Sequence, residues 1–357
     1  MSTSVLFEPP ERPAISVLVN TARDDHPYVG IDWFIFEPTV RSLNRQEFRD
    51  FELVIVDALW SEERLRWLKS HAEFPFKYLD ARGNRFIRHG LCAISSMKNQ
   101  GLLHCEGDLV LFLDDCTELP RWHLKKVWDW FARGYWPMSL TYYYEAGRPK
   151  LLGESSRYVE RFYGREYDKE GNLRLYTRLG EMVRDSRAKL VDGRGHIKAL
   201  GQWFYGGSTA ELRALLDING LDEAFDGSKG LEDVDLGLRL ERAGYTDLFV
   251  LDEGLWHVEH WHKSISERAL WYKGPTPKCN YALLQYSRMK GVYRANTETL
   301  TLGDCEWIRD NVCPKCDNLH RCLNEEFRGR FYVECEGFHT WLKLQRTFDL
   351  RGLRVEL

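Results

Sequence analysis

The sequence contains no apolar run approaching the roughly 18 residues that a membrane-spanning helix requires. Its first residues, with Glu8, Pro9, Pro10 and Glu11, lack the basic and then apolar regions of a secretory leader. These absences predict a soluble, cytoplasmic protein with an N-terminal tail over 1–13. Neither charge dominates: 50 Lys and Arg against 54 Asp and Glu leave a formal net charge of −4, so the chain offers no general field for a polyanion, and a nucleic-acid partner would need a local patch. Prolines number only 12, no glycine/serine linker marks a domain boundary, and no internal repeat is found. Collagen-like, low-complexity and wholly disordered chains are excluded. What is present is 43% hydrophobic and 29% charged residues over 357 positions, enough for one large domain or two. The nine cysteines are an odd number, and Cys92, Cys105, Cys116 and Cys279 are scattered, which suits reduced thiols in a reducing compartment.

Two β-branched apolar runs, Ile15 to Val19 and Phe51 to Val56, read as buried parallel strands; the first ends in the polar stretch Asn20 to Asp25, the second at Asp57. Pro38 to Phe48 between them has helical character, and Ser61-Glu62-Glu63 opens another helix. A third helix is predicted over Ala93 to His104, followed by Leu109 to Leu113, apolar throughout as a strand covered on both faces would be. Strands alternating with helices imply a parallel sheet with crossovers. Ligands of such sheets bind off the carboxyl ends of the strands, so Thr21 to Asp25, Asp57 and Asp114-Asp115 are expected along one rim. From Tyr135 to Leu200 the pattern loosens, with Trp136 and Tyr142-Tyr143-Tyr144 aromatic. This stretch reads as an insertion or lobe, or equally as an ordinary surface hairpin.

Farther along, Glu232-Asp233-Val234-Asp235 opens a helix whose acids crowd the first turn, where the helix dipole stabilises negative charge, and whose Leu231, Val234 and Leu238 share a face. Taken alone, this is charge decoration of an amphipathic helix. However, the string from Gly206-Gly207-Ser208-Thr209-Ala210 through Leu221-Asp222-Glu223-Ala224-Phe225 to Glu232-Asp233-Val234-Asp235-Leu236 resembles the acceptor-site half of nucleotide-sugar glycosyltransferases with the GT-A fold. The likeness is strongest to the inverting family-two type and its galactosyl- and N-acetylgalactosaminyl-transferase relatives. Ile15 to Arg23, Asp57, Lys98-Asn99-Gln100-Gly101 and Leu111-Phe112-Leu113-Asp114-Asp115-Cys116 match in the same order, so the resemblance covers residues 14 to 262.

That resemblance implies an α/β, GT-A (Rossmann-like), mostly parallel sheet with helices on both faces. A glycosyltransferase domain would span 14–265, its nucleotide half about 14–120 and its acceptor half 121–265. It implies a nucleotide-sugar donor, most readily a UDP-sugar, and Mn²⁺ or Mg²⁺ bridging the departing diphosphate. In the acidic motif Asp114 would serve the ribose or the metal and Asp115 the metal, with Cys116 replacing the family's last acid. His257 is the first choice and His260 the second for a further metal ligand. Asp233 would take the proton from the acceptor hydroxyl, and Glu232 would hydrogen-bond the acceptor or donor sugar. Asp57 resembles the uracil-contacting aspartate, Thr21 and Arg23 line the nucleoside pocket, and Arg88 and Lys98 reach the diphosphate or are solvated helix charges. Gly206 and Gly207 allow a close backbone approach beside the sugar, or mark a simple turn. Trp203, like Trp136 and the three tyrosines, can stack on sugar rings or on bases. The acceptor is open between a glycan, a protein, a small molecule and a modified nucleobase. Two alternatives stand beside this reading: a retaining transferase, and an inactive glycan- or nucleic-acid-binding protein on the same scaffold.

The extension over 266–357 lies beyond the resemblance. Cys305, Cys313, Cys316 and Cys322 include a Cys-x-x-Cys pair and have the spacing of a structural zinc site, with Cys335 and His320 nearby. Free thiols, disulfides and an iron–sulfur cluster are the competing readings of this cysteine-rich appendage.

Overall fold

The structure is a computed structural model, and it describes residues 12–23, 35–144, 162–167, 173–177, 187–260, 278–315 and 336–355; residues 142–144, 162–167 and 173–177, with His260, Glu336 and Val355, are described by their backbone alone. Its first sheet is built from the apolar runs. β1 (Ile15–Thr21), β2 (Phe51–Asp57) and β4 (Leu109–Asp114) are buried almost end to end. Such strands must be covered on both faces, and a parallel arrangement with crossover helices achieves this. β3 (Phe76–Asp80) is a half-exposed edge strand that apolar patterning does not announce. With β10 (Thr209–Glu211) the order is β10-β4-β1-β2-β3, parallel except at β10. The chain steps from β1 outward to β2 and β3, then returns to β4 on the other side of β1. The reversal beside β1 opens a crevice at the carboxyl ends. In register there, Thr21 lies opposite Asp57, and Asn20 opposite Asp114.

The crossover helices begin where the sequence places them. α1 (Glu37–Asn44) starts with Pro38 in its first turn but stops short of Phe48. Beyond its end the Gln46 side chain donates to the Ser42 and Pro120 carbonyls, at 3.1 and 2.9 Å. α2 (Glu62–His71) is capped by the Ser61 hydroxyl, which accepts from the Arg64 N–H at 3.1 Å. α3 (Ile94–His104) packs on β1 and β2 and has no local cap. The Asp226 carboxylate, distant in sequence, accepts from the Ser95 and Ser96 N–H groups at 2.7 and 2.8 Å.

The acceptor half departs from a mostly parallel sheet. A second, mixed sheet holds β5 (Thr117–Glu118), β6 (Trp136–Tyr144), β9 (His196–Lys198) and β11 (Phe249–His260). In it β11 runs parallel to β6 but antiparallel to β5 and β9. α4 (His123–Phe131) packs against β6 and β11, and the backbone of β7 (Phe162–Tyr167) and β8 (Leu173–Thr177) forms a separate hairpin. α5 (Ala188–Val191) and α6 (Leu212–Asp217) are short, and α7 (Glu232–Arg242) carries the acidic turn. Together these elements make an α/β fold with a mixed sheet.

The expected appendage is instead packed onto the acceptor half. Beyond 277 the described elements are α8 (Asn280–Lys290), α9 (Leu302–Asn311), α10 (Glu336–Leu344) and α11 (Leu350–Val355). The Asn280 amide donates to the carbonyls of Phe225, Ser228 and Gly230 at 2.7 to 3.1 Å. The Asn219 amide donates to those of Ala295 and Phe348, both at 2.7 Å, and Arg354 reaches the Leu102 carbonyl at 2.9 Å. Cys305 is buried in the core and Cys313 is half-buried. Cys316, Cys322 and Cys335 lie outside the described residues.

Candidate active site at the strand ends

The strand-end polar groups are wired to one another. Asp115 accepts from the Thr21 hydroxyl at 2.6 Å and from Arg23 Nη1 at 2.7 Å, all three nearly buried. Asp57 has no exposed surface; its Oδ1 accepts from the Leu59 N–H and its Oδ2 from Arg64 Nη1 and the Tyr78 hydroxyl, at 2.6 to 2.7 Å. Arg64 in turn donates from Nη2 to the Arg23 carbonyl at 2.9 Å. Asp57, Arg64, Arg23, Asp115 and Thr21 thus form one bonded chain along the rim. Asp57, expected beside the nucleobase, has its carboxylate held by Arg64, a residue the sequence reading missed. Asp115, expected at the metal, is held by Arg23 and Thr21.

Asp114 is half-buried, with no hydrogen bond or ion pair among the described residues. Gly206 lies against it: a Cβ at that position would come within 2.5 Å of Asp114 Oδ2. Cys116 makes the turn after Asp114-Asp115 with φ +59°, and its Sγ donates to the Ile35 carbonyl at 2.8 Å, fully buried. The thiol therefore occupies the motif's last position without facing the rim.

At the start of α7, Glu232 is buried and Asp233 half-buried. Asp233 Oδ1 accepts from the Val234 N–H at 2.8 Å, and Oδ2 has no hydrogen-bond partner among the described residues. Burial first, then neighbouring Glu232, pushes the Asp233 carboxyl up to about 7, with Asp114 adding to the rise and Lys98 opposing it. Lys98 on α3 is nearly buried and has no ion pair among the described residues. An acid poised near neutrality beside an unpaired ammonium is equipped to accept a proton. α7 differs from the expected amphipathic helix: Asp235 and Arg239 are both buried on it, paired at 2.6 Å, while Leu238 is only half-buried.

Both ring nitrogens of His257, the expected metal ligand, meet protein hydroxyls. Its ring is buried on β11, with Nδ1 bonded to the Ser139 hydroxyl and Nε2 3.1 Å from Thr141 Oγ1. Burial, His123 and Arg187 hold it well below the usual histidine range, so it is neutral. His260's side chain lies outside the described residues. The group β11 does direct to the acidic pair is Glu259, also missed by sequence reading. It pairs in register with Thr117, just after Asp115-Cys116, is 9% exposed, and has no hydrogen-bond partner among the described residues. Burial first and Asp114 next push it up to about 8, against the pull of Arg23. Period-two alternation placed His257 and Glu259 on one side of the strand, and that was the available signal.

Behind the Gly206-Gly207 turn, fully buried Arg187 donates to the Ser139 and Trp203 carbonyls at 2.8 and 3.2 Å. Gly207 has φ +78°, and an added Cβ would strike the His257 ring and the Ser139 hydroxyl. Gly207→Ala combines left-handed strain with overpacking, so a loss of about 3 kcal/mol is expected in urea unfolding. Trp203 is half-buried on the 3₁₀ turn Gly201–Trp203. Arg88 stands apart, exposed on the turn Ile87–His89, with no ion pair to a rim carboxylate among the described residues. Among the described residues no group of three or more His, Cys, Asp or Glu side chains is placed to hold a metal ion. Two hard, unpaired carboxylates, Asp114 and Glu259, are the donors that suit Mg²⁺ or Mn²⁺ once diphosphate oxygens join them.

Residues 35–183 match the model of the family described as Glycosyl transferase family 2. The chain is similar to an uncharacterized glycosyltransferase, YfnE, of Bacillus subtilis (strain 168), at 27% identity over 243 residues, 61% of this chain and 60% of that protein. It therefore spans about 60% of the length of the curated relative it matches. Solved structures of S. aureus TarS 1-349 are also similar. The complex with UDP has 12% identity and a TM-score of 0.44 over 86% of this chain and 74% of that one. The complex with UDP-GlcNAc has 12% identity and a TM-score of 0.46 over 92% and 79%.

Proposed function

We propose that this family-two-like glycosyltransferase moves a sugar from a nucleotide-sugar, a UDP-sugar in the first instance, to an acceptor hydroxyl with inversion. The observation that carries the reading is the meeting of an unpaired Asp114, an unpaired Lys98 and an Asp233 raised to about 7 at one end of the sheet. Asp233 takes the acceptor proton as the hydroxyl oxygen bonds to the anomeric carbon. The bond from that carbon to the diphosphate oxygen breaks on the opposite face, and Lys98 meets the departing charge. Thr21, Arg23 and Asp115 form the floor of the nucleoside side, and Asp57 holds that floor through Arg64. Asp114 and Glu259 would hold a divalent cation, which would supply charge neutralisation at the departing diphosphate. Glu232, Gly206 and Trp203 flank the sugar.

Thermal unfolding with UDP, GDP, CMP or TDP, with and without Mn²⁺, tests this reading. UDP at about 100 times its Kd should stabilise the protein by about 2.7 kcal/mol, a rise of about 5 °C, larger with Mn²⁺ and reduced in Asp114→Asn. No shift with any nucleotide removes the reading.

The zinc proposal at Cys305, Cys313, Cys316 and Cys322 rests on their spacing. One equivalent of zinc per purified chain supports it, and less than about a tenth of an equivalent rejects it.

A further inference from the structure

Helix α7 starts without local help. Its N-cap, Leu231, has φ +71°, and among the described residues no side chain caps the helix. A leucine persists in the left-handed region only where its surroundings over-determine the backbone. The groups that fix this one come from beyond residue 277. The Asn280 amide reaches the carbonyls of Phe225, Ser228 and Gly230, the last at 2.7 Å and immediately before Leu231. Its orientation is set by Lys278, whose Nζ donates to Asn280 Oδ1 and, at 3.2 Å, to the Phe225 carbonyl, so that Nδ2 is the atom turned to the loop. Ser228 Oγ donates in turn to the Lys278 carbonyl at 2.6 Å. Lys278 has no exposed surface, and its Nζ lies 4.9 Å from the centre of the Trp341 ring on α10.

The same loop touches the other side of the site. The Asp226 carboxylate caps α3, which carries Lys98, and the Gly227 N–H donates to the Cys92 carbonyl at 2.6 Å. The loop over 225–230 therefore holds the start of α3 on one side and leads into Asp233 on the other. We infer that Lys278 and Asn280 are positioning residues of the transfer site: through this loop they set where Asp233 and Lys98 stand relative to each other. The inference rests on the reading of Asp233 as the base. Both residues are buried, so they act through the loop and not on a ligand.

Asn280→Ala removes the three contacts to the loop and leaves α8 a good helix former at its first position. Ser228→Ala is a milder second variant that loses only the tie to Lys278. Thr301→Ala is the control: it breaks the capping box of α9, in the same C-terminal segment but away from the loop. The full chain is assayed from pH 5 to 9 for hydrolysis of UDP-glucose, UDP-galactose and UDP-N-acetylglucosamine, and for UDP binding by calorimetry. Asn280→Ala should lower kcat about tenfold to a hundredfold, with KM and UDP affinity within about twofold of wild type. Its pH profile should move as well. The Asp233 carboxyl is raised by burial, by Glu232 beside it and by Asp114 on β4, against Lys98 on α3; a looser first turn admits water, and the midpoint should fall. Ser228→Ala should shift both readouts the same way by less, and it decides the matter if Asn280→Ala fails to fold. Thr301→Ala should lower the melting temperature and shift neither. Unchanged kcat and midpoint in the loop variants, or equal changes in Thr301→Ala, overturn the inference and leave Asp233 standing as the base. Turnover of none of the three donors, or a wild-type rate that ignores pH, overturns the reading of Asp233 and this inference with it.

Discussion

Asp233→Asn is expected to slow sugar transfer by about 10² to 10⁴-fold while nucleoside diphosphate binding stays within about twofold. The amide keeps the size of the side chain and its contact with the Val234 N–H, so α7 still starts where it does. What it loses is the ability to take a proton. Because burial and Glu232 push the Asp233 carboxyl up to about 7, the wild-type rate carries a signature. The base works when deprotonated, so transfer is slow below pH 6, rises through about 7 and levels off above it. Replacing Glu232 by Gln removes the second-largest cause of the rise, and the midpoint of the profile should move down. A pH–rate profile of wild type and Glu232→Gln, beside single-turnover transfer by Asp233→Asn, checks all of this. A substituted enzyme with near-normal turnover, or a wild-type rate flat from pH 5 to 9, would mean that another group takes the proton.

The sheet was legible because its central strands are apolar from end to end, and only burial on both faces produces that pattern. β1, β2 and β4 and the acids that end them therefore sit where sequence reading puts them. β3 was not legible, because an edge strand half in water carries no such run. At the site the limits are of another kind. Sequence motifs mark which residues are present, but not which of them are already spent on each other. Asp115 and Asp57 look like Asp114 in the chain, yet Arg23 and Arg64 occupy them and leave Asp114 free. Histidine at 257 invites a metal reading, and only its contacts with Ser139 and Thr141 turn it into a core group while Glu259, two positions on, faces the acids. Arg187 was hidden in a charged, aperiodic stretch, where nothing in the sequence marks the one guanidinium that reaches the Ser139 and Trp203 carbonyls.

Replacing Asp57 by Ala should cost about 3–5 kcal/mol of folding stability, a large part of the 5–15 kcal/mol typical of a domain. The pair with Arg64 is almost wholly inside the protein, side-chain exposures being 0% and 3%. Removing the carboxylate leaves a guanidinium charge in low dielectric, and leaves the Tyr78 hydroxyl and the Leu59 N–H without their acceptor. Much of the loss should therefore belong to the Arg64 guanidinium, which loses its Asp57 acceptor. Arg64→Met in the Asp57→Ala background should recover about half of it or more, as urea unfolding of the four members of the cycle will measure. The same cycle separates two roles for Asp57. Were it a direct contact to a base, the double variant would regain stability and still bind UDP as poorly as Asp57→Ala. Acting through Arg64 on the Arg23 carbonyl, Asp57 instead sets the position of Arg23 and so of Asp115. UDP affinity should then fall in Arg64→Met as much as in Asp57→Ala, with no further fall in the double variant, because either substitution alone already releases the same end of the rim.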